Sequence, residues 1–192
     1  MKIKRVVAYL IDIVFVYLIS ALLLMIPIFS FNQEEYLDYY EEYMKVPSEM
    51  TNDTVNNQYK LLYKMKKISK NSLIIETTVS FVYFGVAAYL MNGQTFGKKI
   101  KKIKVVPVDG NKLNIHLYMF RAIILTNILP KVASIISILI FKEKNWILAE
   151  GIIGNVSLTM TFLLIGVLIF RSDDRSLHDL LCKTKVIEVN KD

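Results

Sequence analysis

The sequence predicts an all-α membrane protein: a polytopic four-helix transmembrane bundle, with an extracytoplasmic helical hairpin and room for a small cytoplasmic β-hairpin. Residues 6–31 form a run of twenty-six with a single charge, Asp12, behind the basic opening MKIKR, and an apolar run of that length spans a bilayer. Three further runs, 73–91, 117–141 and 146–170, are each long enough to cross ~30 Å of hydrocarbon as a helix. The chain is 54% hydrophobic yet 21% charged, so the charge lies mainly between the runs. At 192 residues it is read as one domain, 1–192.

The first run is too long for the apolar region of a cleavable signal peptide, and no A-x-A-like site follows it. Its carboxylate, Asp12, is costly in hydrocarbon and marks a first polar site. Residues 32–72 read as two amphipathic helices forming a hairpin. Asn32 followed by Glu35 suits a capping box. Tyr36, Tyr39, Tyr40 and Tyr43 recur at helical spacing, as do Leu61, Leu62, Met65 and Ile68. Pro47, Ser48, Asn52 and Asp53 favour a turn between them. The tyrosine stripe reads first as a packing face or interfacial anchor, with a ligand-binding face as the alternative. The second run, 73–91, carries Glu76.

The segment 92–116 holds two β-prone stretches around Asp109-Gly110, a dipeptide that favours a tight hairpin turn. A third stretch lies at 184–189, so either a hairpin or a three-stranded sheet fits. The third run, 117–141, carries Arg121 and Lys131 and is interrupted by Pro130; alternatively it begins near Ile123, with 113–121 lying along the interface. The fourth, 146–170, opens on Trp146, which suits an aromatic belt, and carries Glu150. Residues 171–192 form a tail.

Lysine and arginine counts orient the chain. Residues 1–5, 92–116 and 171–192 hold fourteen; 32–72 and 142–145 hold eight. The larger set faces the cytoplasm, with both termini inside a cell membrane. The formal charge of +7 then belongs to loops facing an anionic leaflet. Nucleic-acid binding is excluded, because no basic patch sits on a soluble domain of adequate size.

The charges within the runs are Asp12, Glu76, Arg121, Lys131 and Glu150. With a rise of ~1.5 Å per residue, Asp12 lies ~9 Å and Arg121 ~6 Å inside the cytoplasmic edge, close enough for an ion pair. Glu76 and Glu150 enter from the outer side, and Lys131 can snorkel toward either. Such charges serve either as interhelical braces or as a polar path for protons or cations. Enzyme motifs fail. The stretch Gly93-Gln94-Thr95-Phe96-Gly97-Lys98-Lys99 has three residues between its glycines where a phosphate loop needs four, and Lys99 replaces the Ser/Thr. Ser176, His178 and Asp179 are sequence neighbours, whereas a triad is a spatial arrangement. One cysteine, Cys182, and two histidines, His116 and His178, make a disulfide impossible and a zinc cluster unexpected. No catalytic residue, cofactor or metal is expected.

Three separated motifs carry a resemblance. They are Lys4-Arg5-Val6-Val7-Ala8-Tyr9-Leu10-Ile11-Asp12; the Gly93–Lys99 stretch with Ile103-Lys104-Val105-Val106 behind it; and Arg175-Ser176-Leu177-His178-Asp179-Leu180-Leu181 with Lys183-Thr184-Lys185-Val186. In this order they resemble the RDD family of small bacterial membrane proteins, named for one arginine and two aspartates. Arg5, Asp12 and Asp179 fall on those positions, and Arg121 looks like a further arginine common in the family. The resemblance implies Arg5, Asp12, Gly93, Thr95, Gly97, Lys98, Arg121 and Asp179 as the motif set.

Arg5 and Asp12 share a helix face ~10 Å apart, so each needs another partner. Asp12 is expected to pair with Arg121, and Asp179 with Arg5. Lys98, Lys99, Lys101 and Lys102 are expected at lipid phosphates. Two functions follow. One is a non-enzymatic accessory or regulatory subunit binding a membrane partner. The alternative is a transporter of protons, monovalent cations or a small ligand through a charged seam, which four helices would have to build as a homo-oligomer.

Overall fold

The computed structural model describes residues 1–47, 49, 51–110 and 114–189. It is mostly helical. Helix α1 (Lys2–Leu24) buries Ala8, Asp12, Val16 and Ser20, a stripe of small and polar residues every fourth position. Leu10, Val14, Leu18 and Leu22 point outward and are more than half exposed. Polar within and apolar without is the arrangement lipid demands, since apolar side chains gain nothing by leaving the hydrocarbon. The helix stops at Leu24, short of the predicted end at 31, because Pro27 cannot donate a helical hydrogen bond.

The expected hairpin follows as α2 (Gln33–Met44) and α3 (Asn52–Ile68), which pack on each other. Asn32 caps α2 by accepting from the Glu35 amide at 3.2 Å, while Glu35 meets the Asn32 side-chain amide. Thr51 and Thr54 form a reciprocal capping box at α3. Tyr36, Tyr39 and Tyr43 are half-buried and Tyr40 is exposed, and the Lys64 ammonium sits 4.5 Å above the Tyr39 ring. Leu61 and Met65 are buried. Of the expected turn residues, Ser48 lies outside the described residues.

After Ser69, α4 (Lys70–Phe81) continues through a π-helical segment, Val82–Ala87, into α5 (Ala88–Leu90). The wider π turn carries Tyr83, Phe84 and Gly85 into the interior. The chain then reverses at Asn92 and Gly93, both at positive φ. At Gly93 a Cβ would meet the Val105 carbonyl at 2.6 Å, so glycine is required there. Next come α6 (Phe96–Ile100) and β1 (Ile103–Pro107).

Helix α7 (Ile115–Leu125), capped by Asn114, and α8 (Ile128–Ile140) form one bent pair with a 67° break at Thr126–Asn127. Pro130 is not the interruption the sequence suggested. It lies in the first turn of α8, where its missing N–H costs little; the break is made by Asn127 in the left-handed conformation. The first piece is a separate helix, as in the alternative reading, but it reaches Leu125. Helix α9 (Glu143–Phe170) is the longest, and Trp146 is its one buried side chain among the described residues. Trp146 packs edge-on to Tyr63 of α3. The chain closes with α10 (Leu177–Leu181) and β2 (Thr184–Glu188).

The small β element is an antiparallel pair of β1 with β2, Val105 opposite Val186. Its second strand is the tail stretch at 184–188 rather than residues after Asp109-Gly110; positions 111–113 lie outside the described residues and Ile115 already opens α7. Among the described residues, three helical stretches, Lys2–Leu24, Lys70–Leu90 and Glu143–Phe170, are long and apolar enough to cross a membrane, and the bent α7–α8 pair makes up to four. The hydrophobic core joins α1, the π-helical segment and α7 through Val16, Tyr83, Phe84 and Ala122, flanked by Tyr9, Phe15 and Leu125.

Candidate functional site

Both motif aspartates are wholly buried, at 0% exposure, and they solve the problem of a buried charge in different ways. Asp12 is held by neutral donors. One carboxylate oxygen accepts from the Tyr83 hydroxyl and the Gly97 amide, each at 2.6 Å; the other accepts from the Thr95 hydroxyl. The Phe96 amide donates to the Tyr83 oxygen at 2.9 Å. Asp12, reaching from α1, thus caps α6 by accepting from its Gly97 amide, while Tyr83 accepts from the Phe96 amide before it. Such contact requires the backbones of α6 and α1 almost to touch. A Cβ at Gly97 would fall 2.1 Å from the Ala8 carbonyl oxygen.

Asp179 is held by cations. Arg121 reaches one oxygen at 2.6 Å and Arg5 reaches the other. The Thr184 hydroxyl donates at 3.2 Å and the Ser176 amide at 3.1 Å. Arg5 also donates to the Asp174 carbonyl. Burial pushes the Asp179 pKa upward, but Arg121 and Arg5 outweigh it and hold the carboxyl below its ordinary range. His178 beside it is driven well below its usual pKa, first by burial and then by Arg121. It is therefore neutral at pH 7, accompanied by the Ser176 hydroxyl at 3.2 Å.

The motif residues Arg5, Asp12, Gly93, Thr95, Gly97, Lys98, Arg121 and Asp179 therefore gather at one end of the helices. The pairing of Asp179 with Arg5 is as expected. That of Asp12 with Arg121 is not: three neutral donors occupy Asp12, and the guanidinium turns to the tail. Lys98 departs from its expected place as well. It points inward rather than toward phosphates outside, and burial, then Arg121, lowers its pKa to about 7. Tyr83, Ser176, His178 and Thr184 complete the cluster without having been singled out as its members.

Elsewhere, Lys131 bonds Glu76 at 2.7 Å. Glu150 accepts from Ser134 at 2.6 Å and Ser137 at 3.3 Å, with Lys66 at 3.7 Å. Asn127, at the helix break, ties α8 to α9 through Thr161 at 2.8 Å. Between α1 and α9 lies a cavity of about 470 Å³, whose polar lining includes Glu76, Lys131, Arg121, Arg5, Asp12 and Lys98.

Neither a curated protein nor a solved structure matches the chain. The RDD family model matches residues 3–183, which takes in Arg5, both buried aspartates and the Gly93–Lys99 turn that brings one of them to its donors. The chain belongs to the RDD family.

Proposed function

We propose that this RDD-family membrane protein crosses a cell membrane four times with both termini in the cytoplasm, and that it acts as a non-enzymatic accessory or regulatory subunit on a larger membrane partner. The four-pass reading is supported by which ends meet. Lys2 reaches the Ile169 carbonyl at 2.7 Å, and Arg121 reaches the tail. At the opposite end Asn71 reaches the Ser30 carbonyl and Tyr63 the Phe141 carbonyl. The motif end carries the richer lysine and arginine loops, which favours the cytoplasmic side for it.

The observation that carries the accessory reading is that the carboxylates of the helices and the tail, two wholly buried and two partly buried, are consumed by fixed partners. Asp12, Glu76, Glu150 and Asp179 all have them, whereas a proton or cation path needs groups free to exchange. Bonds from Arg5 and Arg121 to Asp179 instead fasten both termini of the chain to the helices, and the α2–α3 hairpin offers an outer face to a partner. The cavity between α1 and α9 favours the second reading, transport of a small ligand or ion by an oligomer.

Purified protein in sealed vesicles separates the two. Co-purification of one partner at fixed stoichiometry, abolished by replacing Tyr36 and Tyr40 with serine, together with no proton or sodium flux, supports the accessory role. Flux that disappears in Asp12→Asn while the fold persists supports transport and removes the accessory reading.

A further inference from the structure

The cluster holds more cation than it can neutralise. Arg5, Lys98 and Arg121 face Asp12 and Asp179, and both carboxylates are already saturated. Arg121 spends one terminal nitrogen on Asp179, but its other terminal nitrogen, Nη1, is buried with no hydrogen-bond partner among the described residues. Buried donors without partners are rare and costly, and each calls for an explanation such as a bound group. Lys98 makes no hydrogen bond or ion pair among the described residues, although it is drawn into the interior beside Arg121. Both side chains line the cavity between α1 and α9.

The walls of that cavity are of another kind. They are formed by Val6, Leu10 and Ile13 of α1 and by Leu164, Ile165 and Leu168 of α9. Leu10 is 54% and Ile165 50% exposed, so the walls run out onto the surface that faces lipid. A cationic end and apolar sides that open laterally match a molecule with an anionic head and an acyl chain.

We infer that the cavity binds a phosphate group at Arg121 Nη1 and Lys98, presented as the headgroup of an anionic lipid whose acyl chain lies between α1 and α9. The inference stands under either function above, because it concerns occupancy of the cavity and not what that occupancy controls. A phosphate there supplies the missing acceptor for Arg121 and the missing counter-charge for Lys98. The pKa of Lys98, lowered by burial and by Arg121, moves back toward its ordinary value when an anion is in place.

The test compares retention of phosphatidylglycerol and phosphatidylcholine by the detergent-purified full chain, using native mass spectrometry and thermal melting, with inorganic phosphate as a separate probe. Wild type is expected to retain phosphatidylglycerol selectively. Lys98→Gln should weaken that retention about tenfold, the loss of one charge-assisted hydrogen bond, while keeping its secondary structure. Lys99→Gln, on the exposed side of the same short helix, should change it little. Ile165→Trp, which narrows a wall without touching charge, should weaken the lipid alone. Inorganic phosphate that stabilises wild type but not Lys98→Gln, with no preference between the lipids, keeps the phosphate site and assigns it to a free anion. Equal retention of both lipids with no phosphate effect overturns the inference, as does equal loss in Lys98→Gln and Lys99→Gln.

Discussion

Gly97→Ala tests the contact on which the Asp12 site depends. The added Cβ would stand 2.1 Å from the Ala8 carbonyl oxygen and 3.0 Å from the Asp12 carboxyl carbon, where real contacts stay beyond 3.0 Å. The obstacle is backbone of α1, which cannot swing aside as a side chain would, so α6 must retreat by close to an ångström. The Gly97–Asp12 bond, 2.6 Å in the native chain, then stretches to about 3.5 Å, the edge of hydrogen bonding. Losing one bond to a buried charge costs ~1.5–3 kcal/mol. The residual crowding adds ~1–3 kcal/mol. Together these give about 2.5–6 kcal/mol, or a melting midpoint lower by about 5–24 °C for a chain of this size. The assay is thermal unfolding of the detergent-solubilised protein, with Gly154→Ala as its companion. At Gly154 an added Cβ meets nothing within 4 Å, and alanine there should be neutral or stabilising. A Gly97→Ala midpoint within about 2 °C of wild type would refute the close approach of α6 to α1.

Two further outcomes follow from the same cluster. In double-mutant cycles read by unfolding free energy, Arg121→Gln and Asp179→Asn should couple by ~2–3 kcal/mol, while Arg121→Gln and Asp12→Asn should couple by no more than ~0.5 kcal/mol. The reverse ranking would restore the Asp12–Arg121 pair that the geometry rejects. Alone, Asp179→Asn should destabilise by ~3–5 kcal/mol, since it leaves two buried guanidinium groups without their carboxylate. In delipidated protein, stability should depend on pH through Lys98. Its folded pKa of about 7 lies below its ordinary value, so between pH 7 and ~10 the unfolded chain holds a proton that the folded chain has released, and stability rises with pH across that window. Arg121, Asp12, Asp179 and Arg5 surround Lys98, and a melting midpoint that climbs from pH 7 to 9 in wild type should be flat in Lys98→Gln. An equal slope in both would locate the titration elsewhere.

The parts of this protein that were legible in the sequence are those set by local rules. Run length gave the apolar helices, the Asn32–Glu35 spacing gave the start of α2, and the depth of Lys131 narrowed its partner to Glu76 or Glu150, of which it meets Glu76. The Arg5–Asp179 bond followed from the family motif and from the distance that keeps Arg5 and Asp12 apart on one helix. The choice of partner for Asp12 was not legible, because it rests on a hydroxyl and an amide. Tyr83 reads as one more aromatic in an apolar run until the π turn rotates it inward. The Gly97 amide is invisible in any list of charged residues. The true break of the third run was hidden likewise: Pro130 is the conspicuous breaker, yet a proline is harmless in a first turn, and the left-handed conformation of Asn127 is fixed by its bonds to α9.

The division of labour between the two aspartates follows from where each lies. Asp12 is deep among three helices, and a cation brought there would carry its own desolvation cost; neutral donors on a turn that α1 itself helps to shape cost less. Asp179 lies on the tail, at the junction of α1, α7 and the β pair, where Arg5 and Arg121 are already held by their own helices. Binding both arginines to one carboxylate closes the motif end only when the tail is docked, since Asp179, Ser176 and Thr184 all arrive with it. The three family letters therefore describe two separable devices. One fixes the α6 turn against α1, and the other makes the integrity of the arginine-lined cavity conditional on the C-terminal segment.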